Sequence, residues 1–215
     1  MIITGQTGVQ RLADGIQAMP RIGAQGEVVS GQLNAEFYEQ TLRGNAFVYS
    51  QAAAGVALAA PSINSVPMIW NPAGSGKNLV LHKVVVGWKD TTWAVGHIDY
   101  GVLTGAGAQT GTGAPIVSLT QVAGVNCLIG GGNASVMRFA PATVTLAAAP
   151  TFLCPMGVSS AAVTATTAIG NFTMVDTING HLICPPGTAF FVMANAAVAG
   201  VCCVAIYGLE VPILL

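Results

Sequence analysis

The chain predicts an antiparallel β-sandwich or barrel behind an N-terminal arm, and three observations carry that reading. From residue 46 onward Val, Thr and Ile recur while Lys, Glu and Arg are scarce, which favours strand over helix. Eleven short apolar runs are separated by glycine- and proline-rich stretches with no helical pattern between them, so strand follows strand. Charge is confined as well. Seven of the fifteen charged residues lie in positions 1–45, and between Asp99 and Asp176 only Arg138 is charged.

The arm, residues 1–45, is the more polar part. Val9, Leu12, Ile16 and Met19 recur at helical spacing behind Thr7 as a candidate N-cap, and Pro20 ends the pattern, so a short helix is expected there. Residues 20–35 have no period. Glu36–Arg43 reads either as a helical turn or as an extended strap. Sparse apolar anchors cannot build a core of their own, so the arm is expected to lie on a neighbouring subunit or a shell. Its candidate contact residues are Leu12, Ile16, Phe37, Tyr38 and Arg43.

The body, residues 46–215, holds the strand candidates. They are 46–51, 62–70, 79–88, 92–103, 116–122, 135–139, 143–147, 152–155, 171–177, 189–194 and 201–210. The separators are 71–76, 105–113, 130–133 and Pro185-Pro186-Gly187. Residues 188–209 carry no charge and are long enough to cross a bilayer. Asn195, Gly200 and the β-favouring run 201–207 instead predict two strands joined around 194–200. In the run 79–88 a strict alternation puts Leu79, Leu81, Lys83 and Val85 on one face. The other face takes Val80, His82, Val84, Val86 and Trp88. Neither face is polar, which predicts burial against a second sheet and against a neighbouring subunit.

Composition excludes several functions. The chain is 53% hydrophobic and 7% charged, against roughly a quarter charged in ordinary soluble domains, so it is not a disordered segment. A net charge of −1 provides no basic stripe for nucleic acid and no attraction to an anionic membrane surface. The first residues show no basic start with an apolar run behind it, so no secretory signal is expected. Cys127, Cys154, Cys184, Cys202 and Cys203 are odd in number and lack a Cys-x-x-Cys, and they read as thiols of a reducing cytoplasm rather than a disulfide framework. A surface this poor in charge suits a component of an assembly.

Few constellations carry chemistry. Gly74-Ser75-Gly76-Lys77 ends like a phosphate-binding loop, but Asn71 and Asn78 stand where Gly and Ser/Thr are required and a strand follows, so a hairpin turn is expected. His97 and Asp99 share a strand face and could orient a base, yet no nucleophile elbow or zinc spacing accompanies them. Trp88, Trp93 and Tyr100 could form an aromatic platform for a glycan, although such residues more often fill a core or an interface. No catalytic residue, cofactor site or metal site is assigned.

Four stretches carry a resemblance: 39–47 (EQTLRGNAF), 70–81 (WNPAGSGKNLVL), 186–189 (PGTA) and 208–213 (GLEVPI). Through them the chain resembles tailed-bacteriophage virion proteins, small structural proteins with a polar arm and a β-sandwich or jelly-roll body. The resemblance implies a non-enzymatic virion role as capsid cement, decoration protein or fibre base. It also implies a trimer or dimer of this chain bound to the major capsid protein or to other virion proteins, made in the host cytoplasm. A fibre module binding a receptor or glycan is the alternative.

Overall fold

The computed structural model describes residues 36–51, 55–58, 60–63, 67–88, 96–105, 122–141, 146–159, 173–195 and 201–213. The chain divides into two compact units, 1–39 and 40–215, and the architecture below is that of the second. The expected helix at 9–19, with Leu12 and Ile16, lies outside the described residues. The 36–43 segment forms one helical turn, α1 (Tyr38–Leu42).

Twelve strands follow among the described residues. They are β1 (Ala46–Ser50), β2 (Val56–Ala57), β3 (Met68–Asn71), β4 (Lys77–Trp88), β5 (Gly96–Thr104) and β6 (Val122–Ala123). Then come β7 (Val125–Asn126), β8 (Arg138–Ala140), β9 (Thr151–Ser159), β10 (Thr173–Cys184), β11 (Thr188–Ala194) and β12 (Val201–Pro212). They form two antiparallel sheets. The first runs β10-β4-β12-β1-β7 with β2 beside β12, and the second runs β6-β8-β3-β11-β5-β9.

The pairs nest: β1 with β12, β3 with β11, β4 with β10 and β5 with β9. A long two-stranded ribbon wrapped so that successive segments fall alternately in the two sheets produces this order, which is that of a jelly roll. The predicted all-β antiparallel sandwich is therefore the architecture found. The uncharged 188–209 segment is β11 and β12, as the two-strand reading expected. Among the described residues no helix is long and apolar enough to cross a membrane.

Two strands run longer than their apolar patterns. β9 continues through Pro155, which an edge strand tolerates because a missing N–H there costs no ladder bond. β10 continues past Thr177 through Asn179 and Gly180, whose φ values are 51° and 79°. Asn-Gly with two positive φ values is ordinary turn chemistry. Here it makes an irregularity inside a strand. Between the pairs Thr177↔Lys83 and Leu182↔Leu81, β10 places residues 178–181 opposite His82 alone.

His82 is also the extra residue against β12, where Tyr207 pairs with Lys83 and Gly208 with Leu81. This bulge changes the phase of β4. Leu79 and Leu81 point inward before it, and Val84 and Val86 point inward after it. The strict alternation expected across 79–88 is thus corrected. Every fully buried side chain of β4 is aliphatic, and Lys83 turns outward.

The inter-sheet core gathers Phe47 and Tyr49 from β1, the four aliphatics of β4, Ile98 and Tyr100 from β5, Phe190 from β11 and Ile206 from β12. The Tyr100 and Phe190 rings lie 5.0 Å apart. A second apolar cluster covers the other face of the second sheet, where Met68, Trp70, Phe191 and Met193 pack with Leu146. β11 is therefore buried on both faces within one chain, without the neighbouring subunit that such a pattern suggested.

The turn after β3 joins the two sheets instead of closing the expected hairpin, since β3 and β4 belong to different sheets. Buried Asn71 holds this crossing and a second one together. Its Nδ2 donates to the carbonyls of Lys77 and Cys184, both at 2.8 Å, while its own carbonyl accepts from the Gly187 N–H at 2.8 Å. Replacing Phe190 with Ala should remove about 3–5 kcal/mol of stability, as for other large core aromatics. Urea unfolding of the two proteins at neutral pH measures that difference.

Candidate functional site

The densest polar centre lies where β1, β4 and β12 meet the segment leading into β8. Glu210, the body's single glutamate, occupies an inward position of β12 and is fully buried. Its carboxylate accepts from the Ser135 hydroxyl, from the Tyr49 hydroxyl at 2.9 Å and from Lys77 Nζ at 3.1 Å. The backbone N–H groups of Val136 and Met137 donate to it at 3.1 Å and 3.3 Å. Burial alone would raise the Glu210 pKa. The hydrogen bonds from Ser135, Val136, Lys77 and Tyr49 outweigh it and hold the carboxyl below its ordinary value. Tyr49 is pushed the other way, by burial first and then by the Glu210 charge. The result is an ionised acceptor whose capacity is filled by donors, a strut between the sheets rather than a proton donor.

A second polar link crosses the interior between β5 and β10. The Tyr100 hydroxyl donates to Asp176 Oδ2 at 2.9 Å, and burial followed by this bond raises the phenol's pKa. On the opposite face of β5, His97 Nδ1 contacts Asp99 Oδ1, as their shared strand face predicted. Asp99 is buried, while the His97 side chain is 40% exposed. Among the described residues no group of three or more His, Cys, Asp or Glu is placed to hold a metal ion.

The aromatic residues suggested for a glycan platform do not gather on the surface. Tyr100 is 1% exposed and lies between the sheets, because its strand position faces the inter-sheet core. Trp88 follows Val84 and Val86 on the inward phase and packs half-buried against the same core. Trp93 lies outside the described residues. Of the arm candidates, Phe37 is half-buried, Tyr38 and Arg43 are exposed, and Leu12 and Ile16 are not described. The Gly74-Ser75-Gly76-Lys77 stretch runs into a strand, with the Ser75 N–H bonded to the Pro72 carbonyl at 3.0 Å and the lysine directed to Glu210.

The five cysteines form no disulfide. Cys202 points inward and Cys203 outward, as adjacent strand positions require. Burial pushes the Cys184 and Cys202 thiols up to about 12, which keeps both as unreactive thiols at neutral pH.

The outer face of the first sheet stands apart from these interior centres. Directly paired residues share a face, so the register arranges its side chains in rows. One row is Val175, Val85, Ala205 and exposed Ser50; a second is Ile183, Val80 and Leu209. Between them runs Thr177, Lys83, Tyr207, Val48 and Val125, across all five strands. Lys83 is the one charged side chain in these rows, and its Nζ sits 4.4 Å from the centre of the Tyr207 ring. Val125, Val175 and Ile183 are 62%, 57% and 54% exposed. An antiparallel sheet normally turns a polar face to water; here exposed Ser50, Thr173, Thr177, Asn179 and His181 alternate with exposed aliphatic residues.

No protein family, curated protein or solved structure matches the chain.

Two outcomes follow from the Glu210 centre. Glu210→Gln places an amide NH2 among donors and should cost about 1–3 kcal/mol at neutral pH. The folded-state pKa of Glu210 lies below its ordinary value of 4.5, so its stabilisation is complete above that value and is lost as pH falls through the folded one. The native protein should weaken as the pH falls below 4.5, and the Gln variant should lose part of that acid dependence. Urea midpoints measured across this range for both proteins test each statement.

Proposed function

We propose that this chain is a non-enzymatic structural component of a tailed-phage virion. Its jelly-roll block oligomerises and binds the capsid shell as a cement or decoration protein. The observation that carries the reading is the outer face of the first sheet, where exposed Val175, Ile183 and Val125 stand among polar residues and Lys83, seated on the Tyr207 ring, is the one charged side chain in the paired rows. Exposed aliphatic side chains gathered on one sheet face suit a surface that a partner covers. The rest of the body supports a mechanical role. Its most buried charged group binds the two sheets together, and the interior aromatics fill the core.

The mechanism follows from rigidity. A sandwich with nested pairs and a clamped crossing at Asn71 deforms little, so contacts made on one face are transmitted as a block. Jelly rolls also host lectins and enzymes, so the fold by itself does not select the role. The charge deficit and the exposed aliphatic residues of the outer face favour it. The sequence resemblance to phage virion proteins points the same way.

Quantitative mass spectrometry of purified particles from the source phage is the test. The chain is expected in a copy number that is a fixed fraction of the major capsid protein, and antibody labelling should decorate the shell. Absence from purified particles would overturn the proposal.

A further inference from the structure

We propose that Asn179, at the kink of β10, is a site of spontaneous deamidation in the folded protein, where isoaspartate accumulates. This chemistry is independent of the virion role proposed above, since it involves one peptide bond and water alone.

The sequence supplies the reactive pair. Of ten asparagines, Asn179 alone is followed by glycine. Glycine has no side chain to shield its amide nitrogen, so that nitrogen approaches the preceding side-chain carbonyl more closely than in other pairings. The Gly180 nitrogen attacks Asn179 Cγ. The N–Cγ bond forms, the Cγ–Nδ2 bond breaks, and ammonia leaves with the proton that the Gly180 N–H gives up. Water then adds across either N–C bond of the resulting succinimide. Opening at Cγ gives aspartate. Opening at the main-chain carbonyl carbon gives isoaspartate, whose main chain runs through Cβ and Cγ. Nothing is oxidised or reduced.

The fold leaves this pair open where strands normally close it. Inside a ladder, cross-strand pairing holds each residue extended, and ring closure needs a rotation that breaks the pairing. β10 pairs with β4 up to Thr177↔Lys83 and resumes at Leu182↔Leu81, so neither Asn179 nor Gly180 has a paired residue on β4. β10 is also the outermost described strand of its sheet. Asn179 is exposed, while Ile178 before it is buried in the inter-sheet core and anchors the kink. Rotation at Asn179 therefore leaves the flanking stretches of ladder in place, a local opening of low cost. Asn71, Asn126 and Asn133 are held differently. Their amides donate to main-chain carbonyls, and Pro72, Cys127 and Ala134 follow them.

The same slack decides what the product does. Isoaspartate lengthens the main chain by one carbon, which inside a regular ladder would throw the following pairs out of register. Here residues 178–181 already stand opposite His82 alone, so the added carbon is absorbed in the kink. The new carboxylate stands in solvent and makes the net charge of −1 one unit more negative.

The native full chain and a guanidinium-unfolded sample, kept for weeks at mildly alkaline pH and body temperature, test the proposal. Peptide mass spectrometry reads the amide-to-acid mass gain at each asparagine, and isoaspartyl methyltransferase labelling reads the isoaspartate. Asn179 should convert in the native chain within about tenfold of its unfolded rate, equivalent to about 1.4 kcal/mol of local opening. Asn71, Asn126 and Asn133 should keep their amides. The acidic species, separated by ion exchange, should melt with the native protein. Asn179→Gln should not form it, because the longer side chain closes a six-membered ring far more slowly. A native chain whose Asn179 amide survives, or converts more than about tenfold slower than when unfolded, would overturn the proposal. So would faster loss at Asn71, Asn126 or Asn133, an acidic species that persists in Asn179→Gln, or one that melts measurably lower.

Discussion

A carboxylate with no access to water holds this sandwich at its seam. Glu210 belongs to the middle strand of one sheet, and its donors come from β1, β4 and the segment that leads into the other sheet. An ionised group in such a place is costly unless it is surrounded by donors, and breaking a buried ion pair by removing one partner typically costs about 3–5 kcal/mol. The arrangement therefore constrains position as well as stability. β1, the β3–β4 crossing and the residues before β8 must all reach the same point, so the relative placement of the two sheets is set by hydrogen-bond geometry as well as by packing.

The His82 bulge has an equivalent effect on the surface. Without it, Lys83 would fall on the phase of Leu79 and Leu81 and be driven into the core. With it, the core is wholly aliphatic along β4 and the lysine is seated on Tyr207 outside. A single inserted residue thus keeps Lys83 out of the interior and places it on the outer face. The bulge on β4 and the Asn179–Gly180 kink on β10 lie opposite each other, so one irregularity accommodates the other.

Much of the fold was legible in the chain. Turn residues and β-branched runs located the long strands, and the run 201–210 became β12 with two residues added. The phase of β4 was not legible, because period-2 counting assumes no inserted residue and His82 looks like any other position. The crossing at 71–76 was mistaken for a hairpin because turn chemistry specifies local reversal and not which sheet the next strand joins. Glu210 was recognisable as a lone acid in an apolar strand, but its partners are 75 and 161 residues away at Ser135 and Tyr49. Only topology brings those residues together. Tyr100 was read for its aromatic surface, and its inward orientation depends on which face of β5 meets β10.

Nested pairing also dictates when the molecule can fold. β12 lies between β4 and β1 in the first sheet, so that sheet stays open until residue 212 has been synthesised. β1 emerges early and waits for a partner more than 150 residues downstream. Such long-range closure makes folding slow and leaves unpaired edges exposed meanwhile. The nascent chain therefore carries its most aggregation-prone surface during translation. Any contact that uses the completed first sheet must follow synthesis of the whole chain rather than accompany it.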